Sequence, residues 1–493
     1  MSAIERVYDQ ARAGTLYAGP VIPGFQASAA RMPVVSPIDN TTIGTLVAGT
    51  AADVDAAVAA ARASFESGEW SGMAPAERKR VLLDWVALIR EHSEEIAALD
   101  CVDAGKPITE CLHTDMPATL DTFAWYAEAV DKCFGRISPT GGDALGLIVK
   151  EPIGVVGAVL PWNFPALMFA WKVAPALAAG NSVIVKPAEL TSLSAYRLTR
   201  LAHQAGVPAG ALTLVTGTGE DTGEPLGRHP DVDMVSFTGS TEVGRLFLKY
   251  SAESNLKEIV LECGGKSPQV VFEDADLDAA VGQMLSAAYW NMSENCSCGS
   301  RLIVQASIKD AVIERLKRGL TDWKVGLPTD PATRIGPMVE EPHFHKVRAF
   351  LEEAPAAGAR LAHGGRIHAE LGSGWYVEPT IFDGVTPAMR LFQEEVFGPV
   401  LAVTAFETED EAVALANDTQ YGLAASLYTR DVGRAQRVSR RIKAGTVSIN
   451  GFSEGDITAP FGGYKLSGFG GRDKGMEAFD QYTQTKVIWY MNA

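Results

Sequence analysis

The 493-residue sequence predicts an α/β fold: two successive, mainly parallel sheets with helices packed on both faces. Three observations carry this expectation. From about residue 151, short runs rich in β-branched residues (VVGAVLP, SVIVKP, LTLVTG, DMVSFTG, EIVLEC) alternate with helical stretches such as 191–205 and 241–251. Continuous apolar runs of this kind belong to strands buried on both faces, whereas half-exposed strands alternate. A second series follows residue 262: PQVVFED, SRLIVQ, a helical 308–319, YVEPTIF, GPVLAVTAF and AGTVSINGF. Finally, residues 52–102 repeat Ala, Leu and charge at helical spacing, which predicts helices near 52–65 and 76–101.

The length fits two or three domains at roughly 150–200 residues each. Hydrophobic residues at 47% and charged residues at 21% give a globular chain with a large core. The segments 134–150 and 476–493 stand apart from the two series. The latter, MEAFDQYTQTKVIWYMNA, ends in an aromatic strand that a lone chain would leave at a sheet edge, so pairing with a partner copy is expected.

Charge and cysteine usage exclude several classes. A net charge of -17, from 43 basic and 60 acidic residues, repels nucleic acid over most of the surface. Six cysteines, at 101, 111, 133, 263, 296 and 298, make no disulfide framework and fit a reducing compartment. MSAIERVYDQARAG lacks the apolar core of a secretory signal, so a cytoplasmic location is expected. Residues 154–180 approach membrane-span length, but Pro161, Pro165 and Pro175 interrupt them and Asn163 and Lys172 lie inside. A buried core segment is expected there, not a span.

Several stretches carry candidate chemistry. In NMSENCSCGSR (291–301), Cys296 and Cys298 are one residue apart with no further Cys or His at metal-ligand spacing, which disfavours zinc. The local sequence does not decide whether either is a nucleophile. GTGEDTG, with Gly217, Gly219 and Gly223, is one residue longer than the dinucleotide fingerprint; a structural turn and a cofactor contact both fit. In SFTGSTEVG, Ser240 stands where a helix begins, as an ordinary cap or as a phosphate contact. SVIVKPAEL sets Lys186 and Glu189 beyond a parallel strand, the edge where open α/β sheets bind ligands, although a solvated ion pair fits equally. Glu262 precedes two glycines in IVLECGGK, and PWNFP sets Asn163 among apolar and proline residues. His343 and His345 in EPHFHK read as the surface of a helix.

Together these stretches resemble the NAD(P)-dependent aldehyde dehydrogenases, in general look the bacterial branch acting on amino- and γ-glutamylamino-aldehydes. The resemblance runs from about residue 30 to the C-terminus. It rests on PWNFP (161–165), KPAELT (186–191), FTGSTEVG (237–244), LECGGKSP (261–268), CGSR (298–301), QEEVFGPV (393–400) and PFGGYKLSG (460–468), in the family's order. It implies a Rossmann-like cofactor domain at 1–127 and 149–261, an α/β catalytic domain at 262–460, and a small β oligomerisation arm at 128–148 and 475–493. A homodimer or homotetramer is implied with it.

The resemblance also implies roles. The family's nucleophile lies five residues before the arginine of the GSR block, which gives Cys296. Its general base falls on Glu262 and its oxyanion amide on Asn163. Lys186, Glu189 and Ser240 fall on adenine-ribose and phosphate positions, with Trp162 and Gly219 on the adenosine side. Glu395 and Phe397 fall on the nicotinamide-ribose and ring positions. In the implied chemistry a thiolate adds to the aldehyde, hydride leaves for the nicotinamide, and Glu262 deprotonates the water that hydrolyses the thioester. NAD is the implied cofactor, because Glu189 can accept from both ribose hydroxyls and repels a 2′-phosphate; Lys186 offsets part of that repulsion. No metal is needed.

Two departures from the family pattern stand out. Ser293 and Glu294 replace a glycine and a glutamine ahead of the cysteine, and Glu294 is expected to point away from the thiol or to meet a cation. SGFGGRD is one glycine longer than usual, leaving Asp473, alongside Lys172, as the candidate partner of the active-site water. The substrate funnel is expected to have an apolar sleeve of Phe164, Met168 and Trp171, with Asp115, Glu454 and Asp456 at its outer mouth. Such a funnel suits an aldehyde with a positive end outward. The alternative is a broad-specificity or semialdehyde dehydrogenase of the same mechanism. A coenzyme A-acylating enzyme and a non-catalytic protein on the same fold are less favoured: Glu262 argues against the former, and intact Cys296, Glu262, Asn163 and Glu395 against the latter.

Overall fold

The computed structural model describes residues 1–25 and 28–491, so Asn492 and Ala493 of the expected C-terminal segment lie outside the described residues. Its centre is a six-stranded sheet in the order Gly468–Phe469, Glu258–Cys263, Met234–Gly239, Val155–Val159, Ser182–Lys186, Leu212–Leu214. All neighbours are parallel except the short edge strand Gly468–Phe469, which runs antiparallel to Leu261 and Glu262. Side chains alternate between two cores, as a period of two demands. Val156, Ala158, Val183 and Val185 pack with the helices Pro165–Ala179 and Leu193–Ala205. Val155, Val159, Ile184 and Val235 pack with Ala51–Ser67 and Thr241–Ala252. The apolar stretch 154–180 is therefore a strand and a helix of this core, and among the described residues no helix is long and apolar enough to cross a membrane.

The chain runs outward from Val155–Val159 through Ser182–Lys186 to Leu212–Leu214, then returns to the other side of the first strand with Met234–Gly239. Strand order therefore reverses between Val155–Val159 and Met234–Gly239. Loops leaving the two strands diverge there and open a crevice at their carboxyl ends.

A seven-stranded sheet follows, ordered Arg360–His363, Thr380–Asp383, Val400–Phe406, Arg301–Gln305, Pro268–Val271, Ala424–Tyr428, Thr446–Ile449, with only the first of these antiparallel to its neighbour. The strand Ala424–Tyr428 was not among the expected runs. Its sequence, AASLY, has small residues where the others have Val and Ile. A small sheet pairs Thr483–Met491 with Ala144–Pro152 and the latter with Arg136–Ser138. The two segments read as standing apart are thus one antiparallel arm. A fourth sheet, of Leu16–Ala18, Thr42–Val47 and Arg31–Val35, precedes the helical region and was not anticipated.

The single helix expected at 76–101 is two helices, Pro75–Glu91 and Ser93–Ala104, meeting at His92. The Ser93 hydroxyl donates to the carbonyls of Ile89 and Arg90, an alternative partner for backbone groups that helps to break the helix there.

Candidate functional site

The crevice at the carboxyl ends of the first sheet leads into a cavity of about 820 Å³ that reaches the loop before Arg301–Gln305. Its walls include Trp162, Asn163, Phe164, Met168, Trp171, Lys186, Glu189, Gly219, Ser240, Glu262, Cys296, Glu395, Phe397 and Glu454. Fourteen residues from eight separate stretches of sequence meet here, among them strand ends such as Lys186 and Glu262 and the helix cap Ser240.

The two cysteines part company. Cys296 faces the cavity, while the Cys298 thiol is buried and donates to the carbonyl of Ala288. Both thiols are pushed up by burial, Cys298 to about 12. For Cys296 the carboxylates of Glu454, Glu395 and Glu262 raise it further, so the resting thiol is protonated. Among the described residues no acceptor in the protein takes the Cys296 N–H. Asn163 donates one amide hydrogen to the carbonyl of Glu294 at 2.8 Å and has a second to offer. The cavity wall thus places a thiol near two N–H donors without protein acceptors, the set that stabilising a developing oxyanion would require.

The glycines of ECGGK have a steric reason. A Cβ on Gly264 would lie 2.2 Å from the Glu395 carboxylate, and one on Gly265 would lie 2.5 Å from the Cys296 carbonyl. Without side chains there, Glu395 accepts from the Gly265 N–H at 2.9 Å. Glu262 is 4% exposed and neither of its carboxyl oxygens has a hydrogen-bond partner in the protein. Burial and the nearby Asp473 raise its pKa well above the ordinary carboxylate range, against Lys172 and Arg472. A carboxyl so placed is set up to trade a proton with water. Lys172 itself does not line the cavity. It is fully buried and meets Asp473 at 2.7 Å, with Gln481 donating to the other Asp473 oxygen. The extra glycine in SGFGGRD is accommodated by a turn, with Gly470 at φ +97°, that leaves Asp473 on Lys172.

At the other end, Lys186 and Glu189 are paired at 3.0 Å on the cavity wall. Ser240 caps the helix Thr241–Ala252 by accepting from Val243 N–H, so a positive helix end opens onto the crevice as well. Trp162 and Phe397 meet edge to face at 5.2 Å. An elongated dinucleotide fits this set: an acid and a lysine for a ribose, a helix end for phosphates, and Glu395 with Phe397 toward the thiol.

Some expectations are corrected. Asp115 is not at a funnel mouth: it is fully buried and ion-paired with Lys106, because the π-helical turn Cys111–Asp115 precedes the helix Met116–Ala129 and carries it into the interior. Asp121, further along that helix, lines instead an outer chamber of about 420 Å³ with Trp290, Phe452, Asp456 and Lys474. Leu167, Trp171 and Glu454 line both cavities and so form the neck between them. Asp456 is at the outer chamber, but its carboxylate already accepts from the N–H and hydroxyl of Thr458. Glu454 reaches further in and accepts from Ser297 Oγ, next to Cys296.

His343 is not helix-surface background. On the buried side of Glu341–Ala356 it lines the main cavity, and burial lowers its pKa to about 4. Its neighbour His345 does lie outward, beside Glu341. Glu294 does point away from the thiol. It meets the Val339 N–H and the His343 ring rather than a full cation.

Residues 25–488 match the aldehyde dehydrogenase family. The chain is 56% identical to an aminoacetaldehyde dehydrogenase of Pseudomonas aeruginosa over 455 residues, 91% of each chain. Among solved structures, the gamma-glutamyl-gamma-aminobutyraldehyde dehydrogenase of Burkholderia cenocepacia superimposes with a TM-score of 0.95 at 45% identity, covering 99% of this chain and 100% of that one. The P. syringae indole-3-acetaldehyde dehydrogenase AldA, solved with NAD+ and IAA, gives a TM-score of 0.97 at 43% identity, covering both chains completely.

Proposed function

The chain belongs to the aldehyde dehydrogenase family, and on that premise we propose that it oxidises an aldehyde carrying an amino or γ-glutamylamino group to the carboxylate, with NAD. The reaction type follows from the family. The substrate class is supported above all by Glu454, an acid in the neck between the two cavities and beside the thiol. The names of the P. aeruginosa and B. cenocepacia relatives point to the same class.

In this reading the Cys296 thiol loses its proton to solvent, its sulfur adds to the aldehyde carbon, and the oxygen that becomes negative is held by the second Asn163 amide hydrogen and the Cys296 N–H. NAD, when bound along the Lys186–Ser240–Glu395 wall, supplies the electron-pair acceptor and a positive ring that offsets the three carboxylates around the thiol. Glu189 holds the adenine-side ribose, and its charge disfavours a 2′-phosphate. Glu395 orients the opposite ribose from its seat on Gly265. After oxidation the acyl group remains on Cys296 as a thioester. Glu262 takes a proton from water, which attacks the thioester carbon and releases the carboxylate. The thiol then recovers a proton, with Lys172 and Asp473 setting the charge around Glu262.

The test is kcat/KM for 4-aminobutanal, butanal and succinic semialdehyde, which share a chain length, each with NAD and with NADP. The amino aldehyde with NAD should lead. A lead for the acidic aldehyde overturns the substrate class, parity with NADP overturns the cofactor preference, and a requirement for coenzyme A overturns the hydrolytic second half.

The arm supports assembly through partner pairing. Thr483–Met491 is one free edge of its sheet, and Val487, Trp489, Tyr490 and Met491 are each about half or more exposed. Such an edge is stable when another copy covers it. Light scattering should give a dimer or tetramer; a mass near 52.5 kDa at micromolar concentration overturns this.

A further inference from the structure

Two buried titratable side chains, Glu294 and His343, touch the site without a part in the chemistry above. Glu294 is 1% exposed. Its Oε1 accepts from Val339 N–H at 3.4 Å and lies 3.5 Å from His343 Nε2. Its backbone carbonyl accepts from Asn163 Nδ2 and from Asn291 Nδ2, both at 2.8 Å. Asn291 also donates to the Asn163 carbonyl, which takes Lys106 Nζ as well. The Asn163 amide is therefore aimed by bonds centred on the Glu294 backbone carbonyl, and the Glu294 side chain, seated on Val339 N–H and beside His343, anchors the residue that carries that carbonyl.

His343 holds the other half. Its Nε2–H donates to the Phe397 carbonyl at 2.7 Å. Phe397 is held at φ +59°, a left-handed conformation that costs a non-glycine residue about 1 kcal/mol or more and needs fixing by its neighbours. The imidazole ring packs on Trp162 at 5.3 Å and on Phe397 at 6.0 Å. With its pKa lowered to about 4 the ring is neutral at pH 7 and carries a single N–H, which the Phe397 carbonyl, able only to accept, places on Nε2. Lys346 and Lys106 are the charged groups that act on His343 and Glu294 from their surroundings.

We propose that Glu294 and His343 form a positioning pair, in which Glu294 fixes the direction of the Asn163 amide and His343 fixes the Trp162–Phe397 wall. The pair links the oxyanion donor to the cofactor wall across one buried contact. This rests on the proposed reading for the meaning of both ends, not for the contact itself.

The experiment uses the full chain with Glu294→Leu, His343→Leu, their Gln counterparts and the double Leu variant. Leucine keeps the volume and removes the polar atoms. Three readouts are taken: hydrolysis of p-nitrophenyl acetate without cofactor, which needs the thiol and the oxyanion donors; NADH affinity; and kcat and KM for NAD with the best aldehyde. Glu294→Leu should lower ester hydrolysis and kcat about tenfold, with NADH affinity within about threefold of wild type. His343→Leu should weaken NADH binding and raise the NAD KM about tenfold, with ester hydrolysis within about threefold. Glu294→Gln should restore ester hydrolysis, and in kcat/KM for NAD, the readout that both singles move, the double variant should lose less than the product of the two. A fall in melting temperature with all three readouts at wild-type values overturns the proposal, as do strictly multiplicative losses. Where Glu294→Leu does not fold, the His343→Leu split between affinity and ester hydrolysis decides alone. A wild type that hydrolyses the ester and binds NADH yet oxidises no aldehyde sinks the proposed function, while the pair stays testable by the first two readouts.

Discussion

At the thiol end of the main cavity, Glu262 has two buried oxygens without partners, and three successive residues, Asn291, Met292 and Ser293, all carry positive φ. At the opposite end Lys186 meets Glu189, Ser240 caps its helix, and no residue of the 186–189 loop has a strained backbone. One end is costly and the other is relaxed. Local strain and unsatisfied polar groups persist only where surrounding structure enforces them. The two ends should therefore answer mutation differently: the thiol end by losing rate while stability holds or rises, the cofactor end by losing affinity.

The largest effect breaks the thiol end outright. Cys296→Ala should abolish NAD reduction, by about 10⁴-fold or more, since among the described residues the other thiol on the cavity wall, Cys263, is packed in the core with Val159 and Phe247. Cys298→Ala should keep at least about a tenth of the activity, because that thiol only fills space and donates to Ala288. A dead Cys298 variant with a live Cys296 variant reverses the assignment.

Next is Glu262→Gln, which should cut steady-state turnover by about 10²–10³-fold while a first burst of NADH survives. Stability should move the other way, by about 1 kcal/mol or more at alkaline pH. The sign follows from linkage. The folded pKa of Glu262 lies above its unfolded value, so its contribution to stability is fully present below about pH 4.5 and is lost as pH rises through the folded value. The variant has no such loss, and its advantage in melting temperature should grow with pH. A pH-independent difference would mean that Glu262 is not the strained group.

The core of the fold was legible in the sequence, because buried parallel strands write themselves as uninterrupted Val and Ile runs. Ala424–Tyr428 escaped because its residues are small, and the break at His92 because a serine hydroxyl rather than Gly or Pro makes it. Within the site, side chains at motif positions were found and the depth of the others was not. His343 and His345 are two residues apart on one helix, so only one can face inward, and spacing alone does not say which. Asp115 was placed at the funnel mouth on the family resemblance; its buried partner, Lys106, lies nine residues away across a break in the helix, which no periodicity reveals.

That correction sharpens a smaller prediction about substrate choice. Glu454 lies in the neck, whereas Asp456 is tied to Thr458 further out. Glu454→Gln should lower the kcat/KM ratio of 4-aminobutanal to butanal by about tenfold, and Asp456→Asn by about threefold or less, as exposed charges are screened. The opposite ranking would move the cation subsite to the outer chamber.

The smallest effect concerns the strained turn itself. Ser293 sits at φ +63° with its hydroxyl on the Ala288 carbonyl at 2.6 Å. Ser293→Gly relieves about 1 kcal/mol of left-handed strain but gives up a hydrogen bond of about the same worth and frees the unfolded chain. The two nearly cancel, so the melting temperature should stay within about 2 °C. Turnover should fall about twofold to threefold, since the loop that aims Cys296 loses a tether. Met292→Gly is the control at a neighbouring position with the same backbone strain, φ +60°. There the side chain is fully buried in a core cluster, and removing it should cost about 2–4 kcal/mol despite the relief of strain. If both glycine variants were stabilised, backbone strain would outweigh packing throughout this turn, and the thiol end would be costlier than its contacts suggest.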